Sequence, residues 1–240
     1  MKILAIESSG MVASVAVLED DILQAEYTVN FKKTHSQTLL PMLDTMGQMV
    51  DLQMESLDAI AVSGGPGSFT GLRIGAATAK GLGLAVKKPL IAVPTVDSIA
   101  YNLYDTEGII CPMMDARRSQ VYTGLYRFED HKLVTIQEQL PLSVDELLEK
   151  VNAMGEQVTF LGDGVPVYRE KIAKQTTVPY SIAPAHLSRQ RAGAVAALGM
   201  QYLAEGKTVS ADEFKPEYLR VSQAEREREE KLKREAEAKA

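Results

Sequence analysis

One layout of strand, turn and strand occurs twice in this chain, and the repeat limits the folds it can adopt. "KILAIESSGMVASVAVLED" begins at residue 2, and "IICPMMDARRSQVYTGLYRFED" repeats its pattern from residue 109, with Glu7 and Asp115 in equivalent places. Further on, "VTFLGDGVP" echoes "AIAVSGGPG". Repeats this long exceed a solenoid unit, so they predict a duplicated half-domain and two lobes. The alternative is two unrelated hairpins within one α/β domain.

Strand and helix patterns alternate along the chain, which is typical of an α/β fold. "THSQTLLPMLDTMGQMV" predicts a helix in which Thr34 and Gln37 form a capping box. A second helix is predicted from Gly71 to Val86, and Ser143 with Glu146 caps a later one. We therefore expect two lobes, each with a mixed sheet flanked by helices.

The predicted lobes span residues 1–104 and 105–221, and the last helix of the second could return to the first. The remaining residues, 222–240, carry six charges of each sign and a single leucine. Without an apolar stripe to bury, this tail is expected to be a solvated helix or a frayed end.

Composition excludes several classes of protein. The net charge of −6 disfavours nucleic-acid binding unless a local basic patch or a partner supplies positive charge. Cys111 is the single cysteine, so it cannot form an internal disulfide, and this suggests a reducing compartment. No apolar run reaches membrane length, and the first residues do not resemble a signal peptide. We expect a soluble, cytoplasmic protein.

The stretch "GGPGSFTGLRIG" resembles a phosphate-binding loop but lacks its chemistry. A P-loop needs Gly-Lys-Ser/Thr at the start of the helix, whereas Leu72 and Arg73 follow Gly71 here. No GxGxxG fingerprint occurs either. A weaker prediction remains, that backbone amides at the helix start bind an anion: Gly65, Gly67 and Ser68.

Small residues recur at every fourth position of the predicted second helix: Gly71, Gly75, Ala79 and Gly83. Glycine inside a helix costs about 0.5–1 kcal/mol relative to alanine, so this small-residue stripe implies close approach of another backbone. Either a partner helix packs into it, or the chain's own sheet does.

The preceding helix has a wide apolar face. Leu39, Leu43, Met46 and Val50 form one stripe, and Met42 and Met49 widen it. Because methionine adapts to partner surfaces, the face suggests a helical interface, although a core role is equally compatible. The predicted interface consists of Leu39, Met42, Leu43, Met46, Met49, Gly71, Arg73, Gly75, Ala79 and Gly83.

Several segments together resemble the TsaB (YeaZ) family: "ILAIESSGMVASVAVLED", "HSQTLLPMLD", "DAIAVSGGPGSFTGLRIGAATAKGLG", "MMDARRSQVY" and "EYLR". The resemblance extends to about Arg220. It implies a duplicated fold of the actin-like, Hsp70 and sugar-kinase type. It also implies a role in making threonylcarbamoyladenosine (t6A) beside the anticodon of tRNA, together with a paralogue, TsaD.

TsaD carries a metal-binding HxxxH on the helix that follows this region. That motif falls on Thr95 and Ile99 here, and neither side chain is an imidazole ligand. The sequence shows no metal site, since His35, His131 and His186 are scattered. The resemblance then implies a non-catalytic subunit that activates TsaD, works with the ATPase TsaE and forms homodimers when TsaD is missing. Contact with tRNA would occur only through the complex, and the complex, not this chain, would use ATP.

Two carboxylates and two arginines are the remaining candidates for chemistry. Glu7 and Asp115 could serve an ATP-dependent reaction, and Arg117 and Arg118 could clamp an anion. We favour a structural role, in which both carboxylates accept backbone amides and the arginines pair with Asp115. Two alternative functions stay open, an autonomous ATP-dependent kinase or transferase and an M22-type glycoprotease-like peptidase.

Overall fold

The computed structural model describes residues 1–220, and the predicted tail of residues 222–240 lies outside them. Two five-stranded sheets form the framework. The strands of the first are β1 (Lys2–Glu7), β2 (Ala13–Glu19), β3 (Ile22–Val29), β4 (Ala59–Gly65) and β5 (Leu90–Pro94). Those of the second are β6 (Ile109–Asp115), β7 (Gln120–Glu129), β8 (Lys132–Ser143), β9 (Val158–Leu161) and β10 (Tyr180–Ile182).

The two sheets have the same topology. The first has the order β3-β2-β1-β4-β5, and the second, read from its far edge, has the order β8-β7-β6-β9-β10. In each, the opening strand pairs antiparallel with the second strand and parallel with the fourth. The predicted duplication is therefore confirmed, and the two hairpins are related halves of one architecture.

Among residues 1–220, six α-helices flank the sheets: α1 (His35–Met49), α2 (Phe69–Val86), α3 (Thr95–Tyr101), α4 (Val144–Met154), α5 (Gly164–Gln175) and α6 (Ala192–Ala204). The capping box of Ser143 and Glu146 is confirmed at the start of α4. The predicted box at Thr34 is wrong, because its side chain makes no capping bond, and the Gln37 N–H donates to the Thr34 carbonyl instead.

The helices bury their apolar faces against the sheets. α1 and α2 cover one face of the first sheet, and their core includes Leu4, Leu39 and Val62. α6 comes from the C-terminal half of the chain, yet it covers the other face of the same sheet, where Val195 joins Ile3 in one cluster. α4 and α5 cover the second sheet. Within the described residues, no helix is long and apolar enough to span a membrane.

The chain after α6 runs back across both lobes, and we call residues 209–220 the C-terminal segment. Val209 forms a bridge with Leu90 beside β5, and Phe214 is buried in the first core. At the far end, the Arg220 guanidinium donates to the carbonyl of Ala116 in the second lobe, at 2.9 Å. The segment thus joins the two lobes by direct contacts.

Candidate partner-binding surface and inter-lobe cleft

The glycine-rich turn between β4 and α2 is packed against the chain itself. The Ser68 N–H donates to the Ser9 carbonyl at 2.7 Å, and a side chain on Gly67 would collide with that same oxygen. Gly65 has φ of +117° and lies against the Glu217 carbonyl. The Ser68 amide is therefore used within the protein, which corrects the prediction that it binds an anion.

The small-residue stripe of α2 also faces inward. A side chain at Gly71 would meet the Ser8 carbonyl, and one at Gly75 would meet the Ser8 hydroxyl. Ala79 is fully buried, and at Gly83 a Cβ would lie 2.9 Å from the Leu90 side chain. The first hairpin turn approaches Gly71 and Gly75, and the start of β5 approaches Gly83, so these four residues pack within the chain and are not a partner surface.

Most of the apolar face of α1 belongs to the core as well. Leu39, Met42, Leu43 and Met46 are buried against the first sheet and α2, which corrects their assignment to an interface. Met49 is 80% exposed and Arg73, on α2, is exposed, so both remain predicted partner contacts.

A different set of α1 and α2 side chains faces solvent. Leu40 and Leu84 are about half exposed, at 54% and 52%. Between the two helices and the loop that follows α1 lies a groove of about 540 Å³. It is lined by Leu40, Leu43, Asp44, Gly47, Gln48, Asp51, Leu52, Gln53, Met54 and Leu82. The sequence pattern missed Leu40 and Leu84 because neither lies on the dominant stripe of its helix.

Glu7 is a fully buried carboxylate at the end of β1. It accepts hydrogen bonds from the N–H and hydroxyl of Ser9, both at 2.6 Å, and from the Ser63 hydroxyl. Burial raises the pKa of Glu7, and the bonds from Ser63 and Ser9 oppose that rise. The predicted structural role, a turn carboxylate that accepts a backbone amide, is confirmed.

Asp115 has the same role in the second hairpin, where its carboxylate accepts the Arg117 N–H at 3.0 Å. Arg117 and Arg118 both adopt positive φ, and both side chains are exposed. Among residues 1–220 neither guanidinium forms an ion pair, so the predicted pairing of the two arginines with Asp115 is wrong, and only the Arg117 backbone N–H contacts that carboxylate. Glu7 thus lies in the hairpin turn of the first lobe, and Asp115 and Arg118 lie in that of the second. No hydrogen bond between described residues joins Glu7 to Arg118.

The C-terminal segment packs against the glycine-rich turn and the start of α2. The Glu217 N–H donates to the Gly64 carbonyl at 2.7 Å. Tyr218 stacks on Phe69, with ring centroids 4.6 Å apart and planes 3° apart, and its hydroxyl accepts from Arg73 Nε at 3.3 Å. The sequence pattern alone did not predict this contact, because Phe69 and Tyr218 are far apart in the sequence.

The positions that correspond to HxxxH are part of the core. Thr95 and Ile99 lie on α3, and both are fully buried. His35 lies in the first turn of α1, as predicted, and its Nε2 is 2.8 Å from the Gly10 carbonyl. His131 and His186 are exposed. The part of the chain that the structure describes holds no group of three or more His, Cys, Asp or Glu residues that could bind a metal ion.

A buried polar pair on α3 was not predicted from sequence. The Tyr126 hydroxyl donates to Asp97 Oδ1 at 2.7 Å, at the junction between the lobes. Burial raises the pKa of Asp97 to about 6, although the bond from Tyr126 favours its charged form. The pair thus places a carboxyl group with a raised pKa at the junction between the lobes.

Comparison with known proteins identifies the family. A family model described as "TsaD: tRNA N6-adenosine threonylcarbamoyltransferase" matches residues 25–228. The chain is 32% identical over 225 residues to the tRNA threonylcarbamoyladenosine biosynthesis protein TsaB of Bacillus subtilis, covering 94% of this chain and 96% of that protein.

Solved structures agree with the sequence relatives. The structure of YeaZ from Pseudomonas aeruginosa superposes with a TM-score of 0.78 at 25% identity, over 91% of this chain and 99% of that one. Component A of the (R)-2-hydroxyglutaryl-CoA dehydratase of Acidaminococcus fermentans shares the fold alone, with a TM-score of 0.50 at 9% identity over 85% of this chain and 99% of that one. The expected α/β fold, with two lobes that each hold a mixed sheet flanked by helices, is confirmed. The chain belongs to the TsaB (YeaZ) family of tRNA threonylcarbamoyladenosine biosynthesis proteins, which is related to TsaD.

Proposed function

We propose that this chain is a non-catalytic subunit of the t6A machinery, which binds the catalytic subunit TsaD and holds it in an active conformation. The supporting observation is the burial of Thr95 and Ile99 where the two histidines of TsaD would fall. Because threonine and isoleucine have no imidazole and both residues are buried in the core, they cannot form an open coordination site for a metal ion.

The proposed docking surface is the exposed side of α1 and α2 together with the groove beside them. Leu40, Met49 and Leu84 provide exposed apolar area, and the Leu82 side chain lines the groove. An amphipathic helix that places an apolar anchor in such a groove buries it without rearranging the core. TsaD is the proposed occupant, and a second copy of this chain takes its place when TsaD is absent.

The chain contributes no nucleotide chemistry in this proposal. Glu7 is buried and hydrogen-bonded, and the Ser68 amide is engaged by Ser9, so neither is available to hold a phosphate. ATP would be consumed by the complex, with TsaE as the ATPase partner, and the complex would act in the cytoplasm.

The docking surface is tested by Leu40→Glu and Leu84→Glu, with TsaD affinity measured by surface plasmon resonance. Each side chain is about half exposed in the free chain, so the fold should survive. Transfer of a charge into an apolar interface is expected to weaken TsaD binding at least about tenfold.

Val167→Glu is the matched control, because Val167 is a similarly exposed apolar residue, at 59%, on α5 of the second lobe. It should leave TsaD affinity unchanged. Equal affinity for TsaD in all three variants and the wild type would place the docking surface elsewhere. No association of the wild-type chain with TsaD would reject the proposed function.

A further inference from the structure

Four arginines lie in the second hairpin turn or at the contacts of the C-terminal segment: Arg73, Arg117, Arg118 and Arg220. Elsewhere among residues 1–220, Arg127 pairs with Glu156 and Arg191 pairs with Glu26, whereas Arg169 and Arg189 form no ion pair. No ion pair among residues 1–220 includes any of the four. We call these four residues the arginine patch. On a chain with a net charge of −6, they are a local concentration of positive charge.

Contacts of the C-terminal segment bring the four arginines together from three parts of the chain. Arg73, on α2, donates to the Tyr218 hydroxyl. Two residues later, Arg220 donates to the carbonyl of Ala116, which directly precedes Arg117 in the second hairpin turn. The patch therefore includes residues of both lobes, which the C-terminal segment links.

A stacked aromatic pair lies within the patch. The Phe69 and Tyr218 rings are nearly parallel, and the Arg73 guanidinium carbon lies 5.9 Å and 5.8 Å from their centroids. Tyr218 is 38% exposed, so part of the pair is open to solvent. Aromatic rings beside arginines are what RNA-binding surfaces use to stack an unpaired base and hold its phosphates.

Two carboxylates that are close to the patch in sequence, Asp115 and Glu217, accept hydrogen bonds from other groups. Asp115 accepts the Arg117 N–H and the Tyr168 hydroxyl, and Glu217 accepts from the Gln139 side chain. The guanidinium groups are thus left to interact with an external anion. An acidic protein would satisfy the arginines but would not use the planar rings, so the combination favours RNA.

We infer that the arginine patch contacts tRNA directly within the complex, with Arg117, Arg118 and Arg220 on phosphates and Tyr218 against an unpaired base. This inference rests on the proposed function, because the complex brings the tRNA to the chain. It goes beyond that function by giving this subunit its own share of tRNA recognition.

The test uses the full chain with TsaD and an unmodified, fluorescently labelled tRNA transcript, with affinity measured by anisotropy over a series of salt concentrations. Arg117→Gln combined with Arg118→Gln should lower tRNA affinity about tenfold at low salt. It should also reduce the slope of log affinity against log salt by about 1–2, since each lost phosphate contact removes about 0.7–0.9.

Lys87→Gln combined with Lys88→Gln is the matched control. It removes the same charge at the other end of α2, about 27 Å from Phe69, and Lys87 shares the positive φ of Arg117. The control should leave affinity and slope unchanged. For the aromatic contact, Tyr218→p-benzoylphenylalanine should crosslink to tRNA, whereas the same change at Tyr180, exposed to 40%, should not.

Association with TsaD is measured first, without tRNA, so that the two proposals fail separately. If the arginine variant weakens TsaD binding while the assembled complex keeps its tRNA affinity, the patch is a protein interface and the inference is overturned. Unchanged affinity and slope overturn it as well. If the wild-type chain does not bind TsaD, the proposed function fails. The arginine patch is then tested by crosslinking of the chain alone at saturating tRNA. The absence of a crosslink in that experiment overturns the inference.

Discussion

Gly71 shows at the residue scale why the second helix needs glycine. Its Cα faces the Ser8 carbonyl, so a Cβ there would collide with backbone that cannot rotate away. Gly81, on the same helix, has no atom within 4 Å of the place where its Cβ would be. Comparison of the two positions distinguishes the need for glycine in close packing, at Gly71, from the general cost of glycine in a helix, at Gly81.

Gly71→Ala is therefore expected to destabilise the protein by about 2–3 kcal/mol, because the helix must shift from the hairpin turn. Gly81→Ala should stabilise it by about 0.5–1 kcal/mol through helix propensity alone. Urea unfolding followed by circular dichroism measures both. If the Gly71→Ala variant is as stable as the wild type, α2 does not pack against this turn.

Asp97 makes stability depend on pH. Its folded-state pKa of about 6 lies above the ordinary aspartate value of 3.8, so between these two pH values the folded state holds a proton that the unfolded state releases. Stability should therefore rise as pH falls from about 7 to about 4, and the charged form costs up to about 3 kcal/mol at neutral pH.

Asp97→Asn keeps an oxygen to accept the Tyr126 bond and removes the charge. At pH 7.5 it should stabilise the protein by about 1–3 kcal/mol. The difference between variant and wild type should shrink as pH falls through about 6. Urea unfolding at several pH values checks this, with exposed Asp44→Asn as the control. A difference that does not vary with pH would show that Asp97 titrates normally.

At the scale of elements, α1 shows what a sequence pattern can and cannot establish. Its period predicted the helix and its apolar face, and both are present. The same period could not tell whether the face meets the chain's own sheet or a partner, because both bury apolar side chains equally well. The answer depended on where β2 and α2 lie, which is information from distant parts of the chain.

Two methionines of α1 test that distinction. Met42 is 5% exposed and Met49 is 80% exposed. Met42→Glu should lower stability by at least about 3 kcal/mol, because it places an unpaired charge in the core. Met49→Glu should leave the melting temperature nearly unchanged. If both variants melt like the wild type by circular dichroism, the apolar face of α1 is not part of the core.

The duplication was predictable because each hairpin leaves its own local pattern, with a carboxylate before the turn. Glu7 and Asp115 were correctly read as turn carboxylates for the same reason, since the amides they accept lie within two residues. The contact of Tyr218 with Phe69 and the bond of Tyr126 to Asp97 were not predictable. Each of these contacts joins residues that are far apart in the sequence, so no local sequence pattern could indicate it.

At the scale of the whole molecule, the C-terminal segment joins the lobes. Termination after Arg220 keeps the Phe214 core contact and the bond to Ala116, and it should leave the melting temperature within a few degrees of the wild type. Termination after Val209 removes the Phe214 contact and the bond to Ala116, and it should lower the melting temperature by about 10 °C or more. Differential scanning calorimetry compares the two. Equal melting temperatures would show that the segment does not hold the lobes.

The central claim is that this chain activates a catalytic partner and does not catalyse. The most direct test is single-turnover formation of t6A on an unmodified tRNA transcript, with ATP and the threonylcarbamoyl donor present. We expect no modification by the purified chain alone, and modification when TsaD and TsaE are added, with the rate dependent on this chain. Modified tRNA formed by the chain alone, from a preparation free of TsaD, would contradict it.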